Sequence, residues 1–266
     1  MEINLKKRMA AFLCLAIVLS LSYGWLTGSP TGLLSVENIS AAKTPGNGGI
    51  KADSLDGNEN GLGGGKYVAM TFDDGPKAGT TDLLLNGLRE RGVHATFFLI
   101  GKQVEENETL VEQMAEDGHL IGNHTFNHVN LANLSNKDAW QELNLCFGEI
   151  EDIAPQSLKV VRPPFGEINS AVKSNVDCPI ILWSVDTRDW TGRSAGDIAD
   201  YIVETAREGD IILLHDIFEE SVRGALMAID TMMENGYTFV TVKELFEKNG
   251  ITLEPGKVYR KTYTGG

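Results

Sequence analysis

The sequence is short of the residues that several functions depend on. Only three cysteines occur in 266 residues, Cys14, Cys146 and Cys178, so a closed structural zinc site, usually rich in cysteine, is not expected. Cys146 and Cys178 fall in a predicted helix and before a predicted strand, where they either pair or stay free and buried. Basic residues are scarce as well: 23 Lys and Arg stand against 37 Asp and Glu, a formal net charge of −14. That balance argues against nucleic acid or an anionic lipid surface as the partner of the folded part, and leaves a neutral ligand compatible. Long apolar runs are confined to one, Met9 to about Leu26, which restricts membrane contact to the N-terminal segment. Histidine occupies five positions only, so where each stands carries weight.

Lys6, Lys7 and Arg8 precede the apolar run, the pattern of an export signal. A run of eighteen residues is long for a cleaved core and just enough to span a bilayer, so residues 1–28 are read as a signal peptide or membrane anchor. From residue 29 to 65 the composition shifts to Gly, Asn, Ser, Asp and Thr, with Pro45-Gly46-Asn47-Gly48-Gly49 and Gly61-Leu62-Gly63-Gly64-Gly65. Such a stretch cannot bury enough surface to offset its ordering entropy and reads as a flexible linker. Residues 66–250 form the single folded domain, and 251–266 a C-terminal tail.

Within 66–250, short β-rich runs alternate with helical patterns. Strands are predicted near Tyr67–Thr71, Ala95–Leu99, His119–Ile121, Lys159–Val161, Ile180–Ser184, Asp210–Leu214 and Thr238–Val240. Helices are predicted over Thr80–Arg91, Asn136–Ile153, Ala195–Glu208 and Val222–Asn235, with Gly92, Gly209 and Gly236 where C-caps belong. Seven β/α units require a parallel sheet, read as an α/β fold closed into a (β/α) barrel, with a doubly wound open sheet as the alternative.

The reactive residue types fall at the carboxyl ends of these strands, which in a parallel barrel share one face. Asp73 and Asp74 follow the first strand, where the turn at Gly75-Pro76 lets both acids aim into one cavity. One could bind a cation while the other stays available as a base. His124 and His128, four residues apart, would share a face on a helical turn, within reach of one metal; with Asp74 they make three ligands and an open position. His94 and His119 are assigned to structure. Arg162 opens the rigid Arg162-Pro163-Pro164-Phe165-Gly166 loop as a permanent cation beside Asp73. His215 ends the sixth strand, and Asp189 is the acid expected to hold its tautomer and raise its pKa, making a proton donor.

Taken together, Thr-Phe-Asp-Asp-Gly-Pro, His-Thr-x-x-His, Arg-Pro-Pro-Phe-Gly, Asp-x-x-Asp-Trp and Leu-Leu-His-Asp occur in the order and spacing of the five motifs of the NodB-homology polysaccharide deacetylases, the fourth carbohydrate esterase family. The chain resembles that family over about Lys66 to Leu245. The resemblance implies a distorted (β/α) barrel that removes N-acetyl groups from a polysaccharide. It implies Asp73 as base, Asp74, His124 and His128 as ligands of a divalent metal, Arg162 positioning the base, His215 as general acid and Asp189 its partner. By the same resemblance Trp190 and Leu213 line the acetyl pocket, and the backbone N–H of Phe165 faces the oxyanion. Phe165 stands where Tyr is also common, and Asn127 where Ser or Thr often appears. The expected metal is zinc, with cobalt or another divalent ion as alternatives. The expected substrate is peptidoglycan N-acetylglucosamine, cut by an exported, monomeric enzyme. Chitin oligomers and acetyl-xylan are alternatives, as is a catalytically silent member that only binds glycan.

Overall fold

Successive residues of the strand β1 (Lys66–Asp73) enter two different apolar environments. Val68, Met70 and Phe72 join a core with Leu84, Leu88, Ile198 and Ile229, whereas Ala69 joins a second core with Phe98, Val160, Ile181 and Ile211. This is strand alternation: one face meets the helical layer and the other the inside of the sheet. Thr71 and Asp73 continue the inward column, which therefore ends in a carboxylate at the strand's carboxyl end.

A computed structural model describes residues 65–262. The expected signal or anchor and all but the last residue of the expected linker lie outside the described residues. Among the described residues no helix is long and apolar enough to cross a membrane. After β1 come α1 (Thr81–Arg91), β2 (Thr96–Leu99), α2 (Gly101–Glu106), α3 (Glu108–Glu116), β3 (Leu120–Asn123), α4 (Asn136–Ile153) and α5 (Ser170–Lys173). Then follow β4 (Ile180–Ile181), β5 (Val185–Asp186), α6 (Ala195–Thr205), β6 (Ile211–His215), α7 (Glu219–Glu234), β7 (Tyr237–Phe239), α8 (Val242–Lys248) and β8 (Val258–Tyr259).

The strands pair in parallel in the order β3-β2-β1-β6-β5. From β3 the ring continues through bridges Asn123 to Val161 and Val161 to Ile180. The segment holding β4 and β5 then returns to β6, where Val185 pairs with Ile212. The sheet is thus a closed, distorted barrel, with helices outside. Its distortion has a visible source at β1. Tyr67 O accepts from Gly209 N on one edge while Val68 O accepts from Val240 N on the other, so β7 occupies the lower part of the edge that β2 pairs with above.

Local signals explain several helix ends. Gly92 caps α1 at φ 62°, and Ser135 and Ser194 accept from the amides of Asp138 and Asp197 at the starts of α4 and α6. Three expectations are corrected. The fourth strand is reduced to bridges at Val161, because Pro163 and Pro164 follow at once and cannot donate to a ladder. Gly209 is not a C-cap: α6 already ends at Thr205, and Gly209 at φ 82° forms the turn into β6. The domain also runs past 250, since β8 pairs with β4 and Thr262 N donates to Gly209 O (2.9 Å). Cys146 and Cys178 are both free and buried, and burial pushes the Cys146 thiol up to about 12.

Candidate active site

The carboxyl ends of the strands surround a cavity of about 440 Å³ lined by Asp73, Asp74, His124, His128, Phe165, Trp183, Asp186, Trp190, Leu213, His215 and Phe218. β1 delivers Asp73, β6 delivers His215 in register beside it, and β3 leads into His124. Every candidate residue except Arg162 and Asp189 lines this cavity, and those two stand directly behind it.

Arg162 is fully buried, stacked on the ring of Phe98 (4.1 Å to the centroid). Its Nη1 donates to Asp73 Oδ1 (2.7 Å) and Thr71 Oγ1 (2.8 Å), Nε to Ile181 O (3.2 Å) and Nη2 to Leu182 O (3.1 Å). Burial lowers the guanidinium's pKa and the Asp73 carboxylate opposes that fall; an arginine keeps its charge over any ordinary pH range. The consequence for Asp73 is a fixed orientation, with Oδ1 held and Oδ2 turned toward His124 Nε2 at 3.7 Å.

Asp74 has φ 73°, which breaks strand alternation and turns a second carboxylate to the same mouth. Its Oδ1 lies 3.4 Å from His124 Nε2 and 3.2 Å from His128 Nε2. His124 Nδ1–H donates to the Arg162 carbonyl (2.7 Å), which leaves the Nε2 lone pair pointing at Asp74. Asp74 Oδ1 is buried and has no hydrogen-bond partner. Lone pairs facing one another across such a gap are repulsive unless a cation lies between them. The donor atoms of Asp74, His124 and His128 lie within 4.8 Å of one another, two imidazole nitrogens and one carboxylate oxygen with an open side. The residues present therefore fit a divalent ion. Burial alone would raise the pKa of Asp74; the imidazoles in their protonated form, whose positive charge a bound ion would replace, hold the carboxyl well below the usual carboxylate range.

The histidines do not meet on a helical turn, as the spacing suggests. The chain after β3 is irregular, and Thr125 (φ 65°) and His128 (φ 55°) adopt left-handed backbone to bring the rings within 5.1 Å. Glu142 on α4 holds this loop, accepting from Phe126 N (3.1 Å), Asn127 N (2.9 Å) and Asn127 Nδ2 (2.9 Å).

On the opposite wall, Asp189 Oδ1 accepts from His215 Nδ1 (2.9 Å) and Oδ2 from the His215 amide (2.7 Å). Burial alone would lower the pKa of His215; the hydrogen bond and charge of Asp189, with the charges of Asp73 and Asp74, push it up to about 9. The imidazole is a protonated donor at neutral pH, its Nε2 facing the cavity. Asp216, the next residue, lies away from the cavity under Gly75 and accepts from the Thr81 hydroxyl. Burial pushes its carboxyl up to about 7.

The rim is aromatic: Phe165 is 64% and Trp190 58% exposed, while Leu213 is buried at the floor. Asp186, expected with Asp189 at the carboxyl end of the fifth strand, lines the cavity too, as do Trp183 and Phe218, which the sequence did not single out. Trp183 lies within an apolar strand run, where nothing distinguishes a cavity wall from core.

A profile of the family described as polysaccharide deacetylase matches residues 61–177. A peptidoglycan-N-acetylglucosamine deacetylase of Bacillus cereus is 38% identical over 190 residues, 68% of this chain and 88% of that protein. The chain belongs to the polysaccharide deacetylase family. Another family relative, the peptidoglycan-N-acetylglucosamine deacetylase PgdA of Listeria monocytogenes, is 35% identical over 73% of this chain, which spans only 41% of PgdA's length. Among solved structures, a family 4 acetyl xylan esterase from Clostridium thermocellum, in complex with a cobalt ion, superposes with a TM-score of 0.70 at 32% identity, covering 74% of this chain and 98% of that one.

Proposed function

We propose that this chain is a metal-dependent hydrolase that removes N-acetyl groups from peptidoglycan N-acetylglucosamine, giving acetate and a free amino sugar. The observation that carries the reading is the arrangement around one cavity: an orphaned carboxylate oxygen between two imidazoles, with an Arg-held carboxylate on one side and an Asp-held imidazolium on the other.

Asp74, His124 and His128 would hold the divalent ion, zinc in first place and cobalt as the alternative that the Clostridium structure suggests. When bound, the ion supplies Lewis-acid polarisation of the acetamide carbonyl. Asp73, oriented by Arg162, accepts the proton of the attacking water. His215, protonated and held by Asp189, donates a proton to the departing nitrogen, without which an amine leaves poorly; its loss should cost about 10²- to 10⁴-fold in rate. Phe165, Trp190 and Leu213 exclude water around the acetyl group, and the Phe165 amide faces the developing oxyanion. Residues 1–28 direct export as a signal or anchor, 29–65 tether the domain, and the enzyme works as a monomer in the envelope or outside the cell.

The test is acetate release measured side by side on peptidoglycan, chitin oligomers and acetyl-xylan. Acetate from peptidoglycan above the others supports the reading, and preference for acetyl-xylan would transfer the same residues to an O-acetyl ester. No acetate from any of them, with metal present, would leave a glycan-binding member without catalysis.

A further inference from the structure

Three aromatic side chains among the described residues stand more than half exposed. Phe165 and Trp190 rim the catalytic cavity; the third, Trp140 on α4, is 66% exposed and does not line it. Trp140 forms a wall of a separate groove of about 200 Å³, together with Asn136, Asn144, Phe147, Asn175 and Asp177. Residues 136, 140 and 144 recur every fourth position and 147 follows three later, so their side chains form one stripe along α4, roughly 16 Å long at 1.5 Å per residue. Asn136 and Asn144 are exposed, and neither side-chain amide has a hydrogen-bond partner among the described residues. Asn175 Nδ2 donates to Ala171 O (2.7 Å), which leaves its Oδ1 as an acceptor. The one cation of the groove, Lys159, is held by Glu151 and lies over the Phe147 ring.

A flat apolar face beside unengaged neutral amides matches a sugar ring. Indole covers the C–H face of a pyranose, and amides serve its hydroxyl and acetamide groups with both donors and acceptors. An anionic ligand would find little here to answer its charge, since Lys159 is already held by Glu151 and Asp177 adds a carboxylate to the wall. One end of the groove, at Asn136, adjoins the loops of the catalytic face, and the groove runs from there down the side of the barrel toward Lys159 and Cys178. Its first wall, α4, follows the loop that carries His128, and its second, α5 and the turn after it, follows the loop that carries Phe165. Those two loops are tied by Asn130 Nδ2 to Glu167 Oε2 (2.6 Å) and by Asn169 Nδ2 to the carbonyls of Leu131 (3.3 Å), Ala132 (3.1 Å) and Leu134 (3.3 Å). A polymer leaving the cavity on the His128 and Phe165 side would run onto the stripe.

We propose that this groove is a second glycan-binding site, taking a strand of neutral N-acetylhexosamine polymer outside the catalytic cavity and holding the enzyme on an insoluble substrate. The proposal rests on the deacetylase reading for its ligand, but its test does not depend on catalysis. Cosedimentation of the full chain with insoluble peptidoglycan is compared for the wild type, Trp140→Ala, Trp140→Tyr and the double variant Asn136→Ala/Asn144→Ala. Acetate release from a soluble N-acetylglucosamine tetramer is measured alongside. Trp140→Ala is expected to need about tenfold more peptidoglycan for half binding, the double variant to weaken binding in the same direction, and Trp140→Tyr to recover most of the loss. Tetramer turnover is expected to stay within about twofold in all of them. Failure of the wild type to cosediment, unchanged binding in Trp140→Ala and the double variant, or a fall in tetramer turnover matching the fall in binding would each overturn the proposal. Absence of acetate from every substrate would reject the deacetylase reading instead, while a binding loss confined to the groove variants would still support the site.

Discussion

Asp73 and Asp74 are adjacent in sequence, yet each answers to different neighbours: Asp73 to a buried guanidinium, Asp74 to two imidazoles. Asp74→Asn is therefore expected to lower metal content sharply, because it removes the ligand's negative charge and replaces one carboxylate oxygen with an NH2 donor, while Asp73→Asn should retain metal and lose turnover. Metal analysis of both purified variants decides this; equal loss in the two would make them joint ligands. His215 gives a second test at this scale. Its raised pKa, about 9, means the acid form persists through neutral pH and is lost as pH rises through that value, so the alkaline limb of the rate profile should fall there. Asp189→Asn removes the carboxylate charge that stabilises the imidazolium, so the limb should move to lower pH. A limb that stays in place while the rate drops evenly would remove Asp189 from this role. Most of these side chains were legible from sequence because each follows a β-rich run and belongs to a reactive type. Trp183 was not, since an aromatic in an apolar run reads as core, nor was Phe218, an aromatic in the turn before α7 with no reactive group to mark it; only the closed ring shows that both face a cavity.

Between elements, the site depends on loops held in unfavourable backbone. All five non-glycine residues with positive φ among the described residues, Asp74, Thr125, His128, Phe165 and Arg188, lie in loops at the carboxyl face. Such conformations cost of order 1–3 kcal/mol each and persist only where surrounding contacts over-determine them. For the histidine loop those contacts come from Glu142 on α4, whose carboxylate takes three N–H groups. Glu142→Ala is expected to leave the barrel folded but to weaken metal binding about 10- to 100-fold, the range seen when partners of metal ligands are removed. Metal titration with circular dichroism as the control measures it, and undiminished affinity would mean the loop is rigid without α4. The sequence suggested a helical turn for His124 and His128 because a four-residue spacing satisfies that geometry. A loop with two left-handed residues satisfies it equally, and spacing alone does not separate them. By contrast, the bounds of α4 were readable to the residue, since Ser135 caps it and its apolar residues keep helical period.

At the level of the barrel, the ligands and the core are separate sets. Asp74, His124 and His128 lie in loops beyond the ends of β1 and β3, while the core is built from the strands and helices themselves, so a chelator is expected to abolish activity and leave the folded signal intact, with zinc or cobalt restoring turnover. Closure places a different demand on the chain. The ring is thin where the expected fourth strand shrinks to Val161, and β4 has only two residues there. The free edge of β4 is covered by β8, from the segment read in the sequence as a C-terminal tail. Ile251, Leu253 and Tyr259 pack on the inner core, and the Tyr259 ring meets Phe246 at 5.0 Å. Ending the chain after Gly250 would expose this apolar surface and leave the β4 backbone unpaired. Part of that surface is already half-buried rather than sealed, so a loss of about 3 kcal/mol is expected, which for a domain of this size lowers the melting temperature by roughly 6–12 °C. Differential scanning calorimetry of the truncated and full chains measures it. An unchanged melting temperature would return residues 251–262 to the status of a tail and leave closure of the barrel to Val161 and β4 alone.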